Sequence, residues 1–403
     1  MKKTLFLAVM AGVALAGCVK NEPIAKSDGS PERITFDAPV VSIPTRATEI
    51  YGNYPKDKDF AVYALYHEGQ YNENSFTAIT SAKYMTNVKC VADNATTPTC
   101  WAPTQTYYRP KNENGYLTFA AYAPAMISGV DWTVNGFKFE NFTVKDTPAD
   151  QIDLLYSERQ YDKQKSSMVE NQPYNGVTIP FKHALSSIVF TAKTEGEYTN
   201  TTIKITEITV KNVASKGDFA QNLLASTTGD SDTNTDSDKT KEPAWTIDAI
   251  AVKNYQVYPQ TTGNELTLSN TDQFVNGVVD NTDDQYDTTE GGEVQDDNTK
   301  KNDGVRRSDL ILIPQNLDRG DGETDDVTVT IKYTIQNGSE TAIPQERTFQ
   351  LAVAPTDDTS SETYVWEMGK RYIYHIVIGL DKIYFNPQVT NWEDANGTAI
   401  QIN

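Results

Sequence analysis

The sequence predicts an all-β, exported protein with room for two domains. Three observations carry this. Apolar residues recur in short alternating runs and almost never at helical spacing. The composition is poor in Leu and rich in Thr, Val, Ile, Tyr, Asn and Asp, the residues of strands and of the turns between them. The chain opens with an export signal, and about 385 of its 403 residues remain after its removal, which suits two cores better than one.

Lys2 and Lys3 precede the apolar run Thr4 to Ala16, which ends in Leu15-Ala16-Gly17-Cys18. A basic start, an apolar stretch too short for a lasting anchor and small residues before the break mark a secretory signal. The cysteine directly after Leu-Ala-Gly makes residues 1–18 a lipoprotein signal, with Cys18 as the acylated new N-terminus. An ordinary signal peptide with a chance cysteine is the alternative. Residues 19–33 are polar and read as a tether.

Residues 34–43 (ITFDAPVVSI) read as the first strand, followed by 59–66, 117–123 and 136–144, each alternating well enough to bury one face. Ala149 to Ser157 reads as a helical turn or an irregular crossing, and 158–173 as a charged loop. A second block starts near Gly176. Its strands are expected over 177–181, 184–193, 202–213, 244–248, 254–259, 310–314, 326–335, 346–354 and 371–379. Turn residues separate them at sandwich-like intervals. Two acidic insertions, 228–242 and 276–303, are too polar for a core.

The net charge of −20 argues against nucleic acid and against electrostatic adhesion to anionic membrane, since both need a basic surface. In the first insertion Asp230, Asp232, Asn234, Asp236 and Asp238 alternate in a way that can wrap a hard cation. Thr235 and Lys241 stand where an EF-hand-type loop needs Gly and Glu, so a solvated loop is the simpler reading and no metal is expected. Cys90 and Cys100 flank a turn-forming stretch, and in an oxidising compartment they are expected to pair. Two separate thiols are the alternative. His67, His183 and His375 lie on or beside strands and read as structural. No nucleophile elbow, zinc helix or phosphate loop is present in the sequence, so neither enzymatic activity nor a cofactor is expected.

Several segments together resemble the fimbrillins, the type V pilins of Gram-negative bacteria. Phe181-Lys182-His183-Ala184-Leu185-Ser186-Ser187-Ile188-Val189-Phe190 looks like the strand that opens the family's C-terminal domain. Asp153-Leu154-Leu155-Tyr156 precedes it as in the family, and 205–213 followed by Gly217-Asp218-Phe219 resembles the next strand. Gly369-Lys370-Arg371-Tyr372, a strand and Val389-Thr390-Asn391-Trp392 match the family's end.

The resemblance implies two tandem β-sandwich domains of transthyretin-like topology, over residues 47–175 and 176–403, behind a propeptide of residues 19–46. It implies a precursor lipidated at Cys18 and carried to the outer membrane, where an arginine-specific protease cuts between Arg46 and Ala47. The membrane is then met only through the precursor's lipid. Removal of the first strand would open an apolar groove with unpaired main-chain groups. A neighbouring subunit would fill it by strand addition and build a head-to-tail fimbrium outside the cell. The C-terminal segment, about 383–403, is the expected donor, with Val389, Trp392, Ile400 and Ile402 as its apolar anchors. The partners implied are other pilin subunits, the protease and host surface ligands. A tip or anchor subunit would share most of these motifs. A monomeric surface lipoprotein binding glycan or host protein is the alternative from a different class, favoured by the 22 tyrosines whose faces suit sugar stacking.

Overall fold

A computed structural model of the chain describes residues 33–37, 40–41, 52–54, 58–71, 83–94, 100–112, 114–163, 176–223, 242–259, 265–276, 309–318, 326–351, 365–380, 383–391 and 400–401. Among these the regular structure is β, apart from one 3-10 turn at Pro148–Asp150. That turn falls inside the segment expected to cross irregularly, and Leu155–Ser157 then forms a strand.

Four sheets organise the strands. The largest runs in the order Gly52–Asn53, Val40–Val41, Pro180–His183, Leu155–Ser157, Gly115–Ala123, Phe60–Glu68, Lys83–Ala92, Trp101–Pro103, with Gln160–Lys163 also on Gly115–Ala123. A four-stranded sheet runs Ala244–Ile247, Lys216–Ala220, Gly136–Thr143, Val130–Thr133. The remaining two carry the C-terminal part of the chain. One centres on Thr201–Ala214 and Thr328–Asn337, flanked by Val252–Tyr258 and Ile343–Gln350. The other runs Gln273–Phe274, Ser186–Thr194, Lys370–Ile378, Ile383–Asn391, Ile400–Gln401. Strands from beyond residue 176 also enter the first two sheets: Pro180–His183 pairs with Leu155–Ser157, and Lys216–Ala220 with Gly136–Thr143.

The largest sheet is apolar on both faces, which explains why Phe60-Ala61-Val62-Tyr63-Ala64-Leu65 is a continuous apolar run. Ala61, Tyr63 and Leu65 join a core with Trp132, Phe137 and Phe139 of the four-stranded sheet. Phe60, Val62 and Ala64 face the opposite way, into a second cluster with Ile34, Phe36, Trp101, Phe119 and Phe181. The sheet curls around this second cluster. The stretch that joins its two ends is the first described segment of the chain.

Candidate functional site

Residues 33–37 sit in a slot between the two ends of the largest sheet. On one side Phe36 bridges Trp101 in antiparallel fashion, and Arg33 bridges Tyr108. On the other side Phe36 bridges Val177 in parallel fashion, and Val40–Val41 continues that pairing onto Pro180–Phe181. Successive main-chain N–H groups alternate between the two neighbours. Ile34 N donates to Tyr107 O at 2.9 Å and Phe36 N to Trp101 O at 2.8 Å, while Trp101 N returns a bond to Phe36 O at 2.9 Å. Facing the other way, Asp37 N donates to Val177 O at 3.1 Å and Val177 N to Thr35 O at 3.0 Å. The segment is thus the closing stave of a curled sheet, and it satisfies two edges at once.

The side chains follow the same alternation. Ile34 is 1% and Phe36 0% exposed. The Phe36 ring meets Phe60 and Phe119 edge-on at 5.9 and 5.5 Å between centroids. Tyr54 closes the cluster against Phe60, Trp101 and Phe181, and its hydroxyl donates to Asp59 O at 2.7 Å. Further along the expected first strand, the backbone of Val40 pairs with Pro180, and Ile43 lies outside the described residues.

Sequence reasoning missed Gly176. A Cβ added there would lie 2.5 Å from the Phe36 carbonyl carbon and 2.6 Å from both its Cα and the Asp37 nitrogen. These are main-chain atoms, so the strand can lie this close only against glycine. The Asn175-Gly176 pair reads as an ordinary turn in the sequence, and no pattern there signals a close approach.

The register sets Cys90 and Cys100, the pair expected from the sequence, at different positions along the strand. Cys90 stands opposite Pro103, whereas Cys100 lies opposite Asp93, whose N–H donates to Cys100 O at 2.9 Å. Three residues of strand separate the two positions, about 10 Å, well beyond disulfide reach. Cys90 is buried in the cluster that holds Ile34 and Phe36, and this burial pushes its thiol pKa well up.

Cys18, Arg46, Ala47, Trp392, Ile402 and the acidic run with Asp230, Asp232, Asn234, Asp236 and Asp238 lie outside the described residues. Val389 pairs with Tyr372 on one side and Ile400 on the other, so the described part of the C-terminal segment lies at the edge of its own sheet. The histidines hold local structure. His67 Nδ1 donates to Gly69 O at 2.8 Å and Nε2 meets Thr118 Oγ1 at 2.9 Å. His183 Nδ1 bonds Asp153 at 2.9 Å, and His375 Nδ1 bonds Thr191 Oγ1 at 2.7 Å. Among the described residues no group of three or more His, Cys, Asp and Glu is placed to hold a metal.

The fimbrillin-like family model matches residues 45–275, more than half of the chain. No curated protein matches. Among solved structures, a fimbrial protein from Bacteroides vulgatus is similar at 14% identity and a TM-score of 0.45, over 89% of this chain and 99% of that one. A candidate cell adhesion protein from Bacteroides uniformis has the same identity and TM-score, over 90% and 98%. The tip fimbrial protein Mfa3 from Porphyromonas gingivalis, truncated at its C-terminus, is similar at 7% identity and a TM-score of 0.34, over 89% and 100%.

Proposed function

The chain belongs to the fimbrillin-like family, and on that premise we propose that this fimbrial subunit is made as a lipidated precursor and polymerises by exchanging its first strand. Residues 1–18 direct export and end at the acylated Cys18. The lipid carries the precursor to the outer membrane, and an arginine-specific protease cuts between Arg46 and Ala47. The fragment that leaves contains residues 33–37. A second subunit then supplies an extended C-terminal segment, with Val389, Trp392, Ile400 and Ile402 as candidate anchors, and repetition gives a head-to-tail fimbrium. In this reading the chain works as two sandwiches, 47–175 and 176–403, of transthyretin-like topology, tied by the strands they share.

The observation that supports this most is the double-edged slot. A cut at Arg46 severs the closing stave from everything that follows it. Its departure leaves the unpaired groups of Trp101, Tyr107 and Val177 on two facing edges and an apolar floor of Phe60 and Phe119. Such a gap is filled by strand addition, with main-chain bonds giving affinity and alternate side chains giving register. The contact joins unlike surfaces, so it propagates and does not close.

The test is Arg46→Ala in the full precursor. The wild type, digested with an arginine-specific protease, should yield a chain starting at Ala47 and SDS-resistant oligomers. The variant should remain uncut at that site and monomeric. Oligomers of the same size from Arg46→Ala would sink the mechanism.

A further inference from the structure

Growth by strand addition requires that a released strand find one acceptor edge and ignore the others. The sheet centred on Thr201–Ala214 and Thr328–Asn337 ends at Ile343–Gln350. This strand pairs with Thr328–Asn337 on one side and, among the described residues, with nothing on the other. A long straight edge of this kind is a template for another chain. The opposite end of the sheet is Val252–Tyr258, whose register shifts against Thr201–Ala214 break the ladder and bend that edge. Ile343–Gln350 runs through its pairs without a shift, so bulging does not protect it.

The ladder shows which main-chain groups face outward. Leu351 N donates to Val327 O at 3.0 Å, so the odd-numbered positions bond inward. Alternation then turns the main-chain groups of Pro344, Glu346, Thr348 and Gln350 to the free side. Thr348 fits this. Its hydroxyl meets Thr330 Oγ1 at 3.0 Å, the close approach of a non-bonded pair. Pro344 fits it too, since a residue without an N–H suits a strand where that group would face outward.

Two of these outward positions are closed to a newcomer. Pro344 offers no N–H. At Glu346 the carbonyl is already taken: Arg347 Nη1 donates to Glu346 O at 2.8 Å. Arg347 stands across from the buried Ile331, on the face where Phe349 packs against the core. A charge therefore sits where an added strand would extend the apolar side. The Arg347 side chain is exposed, so its charge stays solvated while nothing lies alongside.

Resting on the exchange reading above, we propose that Pro344 and Arg347 determine which edge of the subunit accepts a strand. Pro344 removes a ladder donor. The Arg347 guanidinium caps the Glu346 carbonyl and keeps the edge wet. A strand offered by a neighbouring copy meets two open edges and an apolar floor in the emptied slot, but one capped edge here. Chain growth therefore stays linear.

The uncut precursor tests this with no exchange step involved. Pro344→Thr with Arg347→Thr restores the donor and removes the cap. It adds no large apolar side chain and makes the chain more negative than −20, so neither a stickier surface nor weaker repulsion can drive association. Thr also favours a strand, which keeps the edge folded. In the wild-type precursor the amides of Glu346, Thr348 and Gln350 should exchange freely, while those of Gln345, Arg347 and Phe349 are protected. The protein should sediment as a monomer. The double variant should dimerise at high concentration through this edge, and exchange at the three outward amides should slow about tenfold or more. Arg347→Thr alone should slow them to a smaller extent, which supplies the test if the double variant does not fold.

Protected outward amides in the wild type overturn the proposal. So does a folded double variant that stays monomeric, or one that dimerises with those amides still open. After arginine-specific digestion the double variant should give branched or laterally joined filaments, and the wild type linear ones. Linear filaments from both overturn the claim about chain growth. Absence of filaments from both defeats the exchange reading, and the precursor's amides then decide the edge by themselves.

Discussion

Replacing Phe36 by alanine should release the first strand while the sheets behind it stay folded. Phe36 is fully buried, and its ring packs edge-on against Phe60 and Phe119. Truncating a buried Phe costs about 3–5 kcal/mol. What holds the strand is of similar size. Burial of Ile34 and Phe36 contributes about 2–3 kcal/mol each. The five main-chain hydrogen bonds on the two edges add about 1 kcal/mol each. Ordering residues 33–37 costs about 5–10 kcal/mol. The surplus is a few kcal/mol, and loss of the ring cancels it. Hydrogen exchange in the undigested precursor is the assay. The amides of Ile34, Phe36, Asp37, Trp101 and Val177 should exchange about 100- to 1,000-fold faster in Phe36→Ala, at tenfold per 1.4 kcal/mol. Val62 and Ala121, paired at the centre of the sheet, should change far less. Unchanged protection at the slot, or equal loss at Val62 and Ala121, would refute a separately held strand.

Gly176→Ala should destabilise the docked strand by about 1–3 kcal/mol, because the obstructing atoms are main chain and cannot swing aside. Unaltered exchange at Asp37 and an unaltered melting temperature would contradict this. Cys90 should resist a water-soluble thiol reagent in the precursor, because its buried thiol has a raised pKa, and should become reactive after digestion. Peptide mass spectrometry of labelled protein would show it, and the Arg46→Ala protein should stay unlabelled at Cys90. Stability to urea should fall as pH rises above about 9. Burial raises the pKa values of Cys90, Tyr156 and Tyr374 from ordinary values of 9.0, 10.0 and 10.0. The unfolded chain therefore loses these protons first. The stability they supply is complete below the ordinary values and disappears as pH climbs towards the raised ones. A urea midpoint unchanged between about pH 9 and 11 would count against burial of these groups.

Much of the fold is legible because alternation is a direct imprint of a half-buried strand. Gly136–Thr143, Thr201–Ala214 and Lys370–Ile378 lie close to where their patterns put them. The first strand was legible from Ile34-Thr35-Phe36 and from its place between tether and Arg46. Lys83–Ala92 was not expected as a strand. Its register shifts against Phe60–Glu68, and Asn87 takes a φ of 50°, so its apolar residues fall out of strict alternation. Gln160–Lys163 hid in a charged stretch because pairing to Gly115–Ala123 is a main-chain matter. The placement of Cys90 and Cys100 has the same root: nearness in sequence says little about register, and register decides which side chains meet. Gly176 was illegible because its role depends on a strand some 140 positions earlier that crosses it in space. Local composition holds no trace of that crossing.

The central claim is that losing the first strand turns a closed subunit into a polymerising one. Electron microscopy of the purified precursor before and after arginine-specific digestion tests it most directly. Dispersed single particles before the cut and unbranched head-to-tail filaments after it are the predicted result. A digested protein that starts at Ala47, has lost residues 33–37 and remains as dispersed particles at high concentration would contradict it.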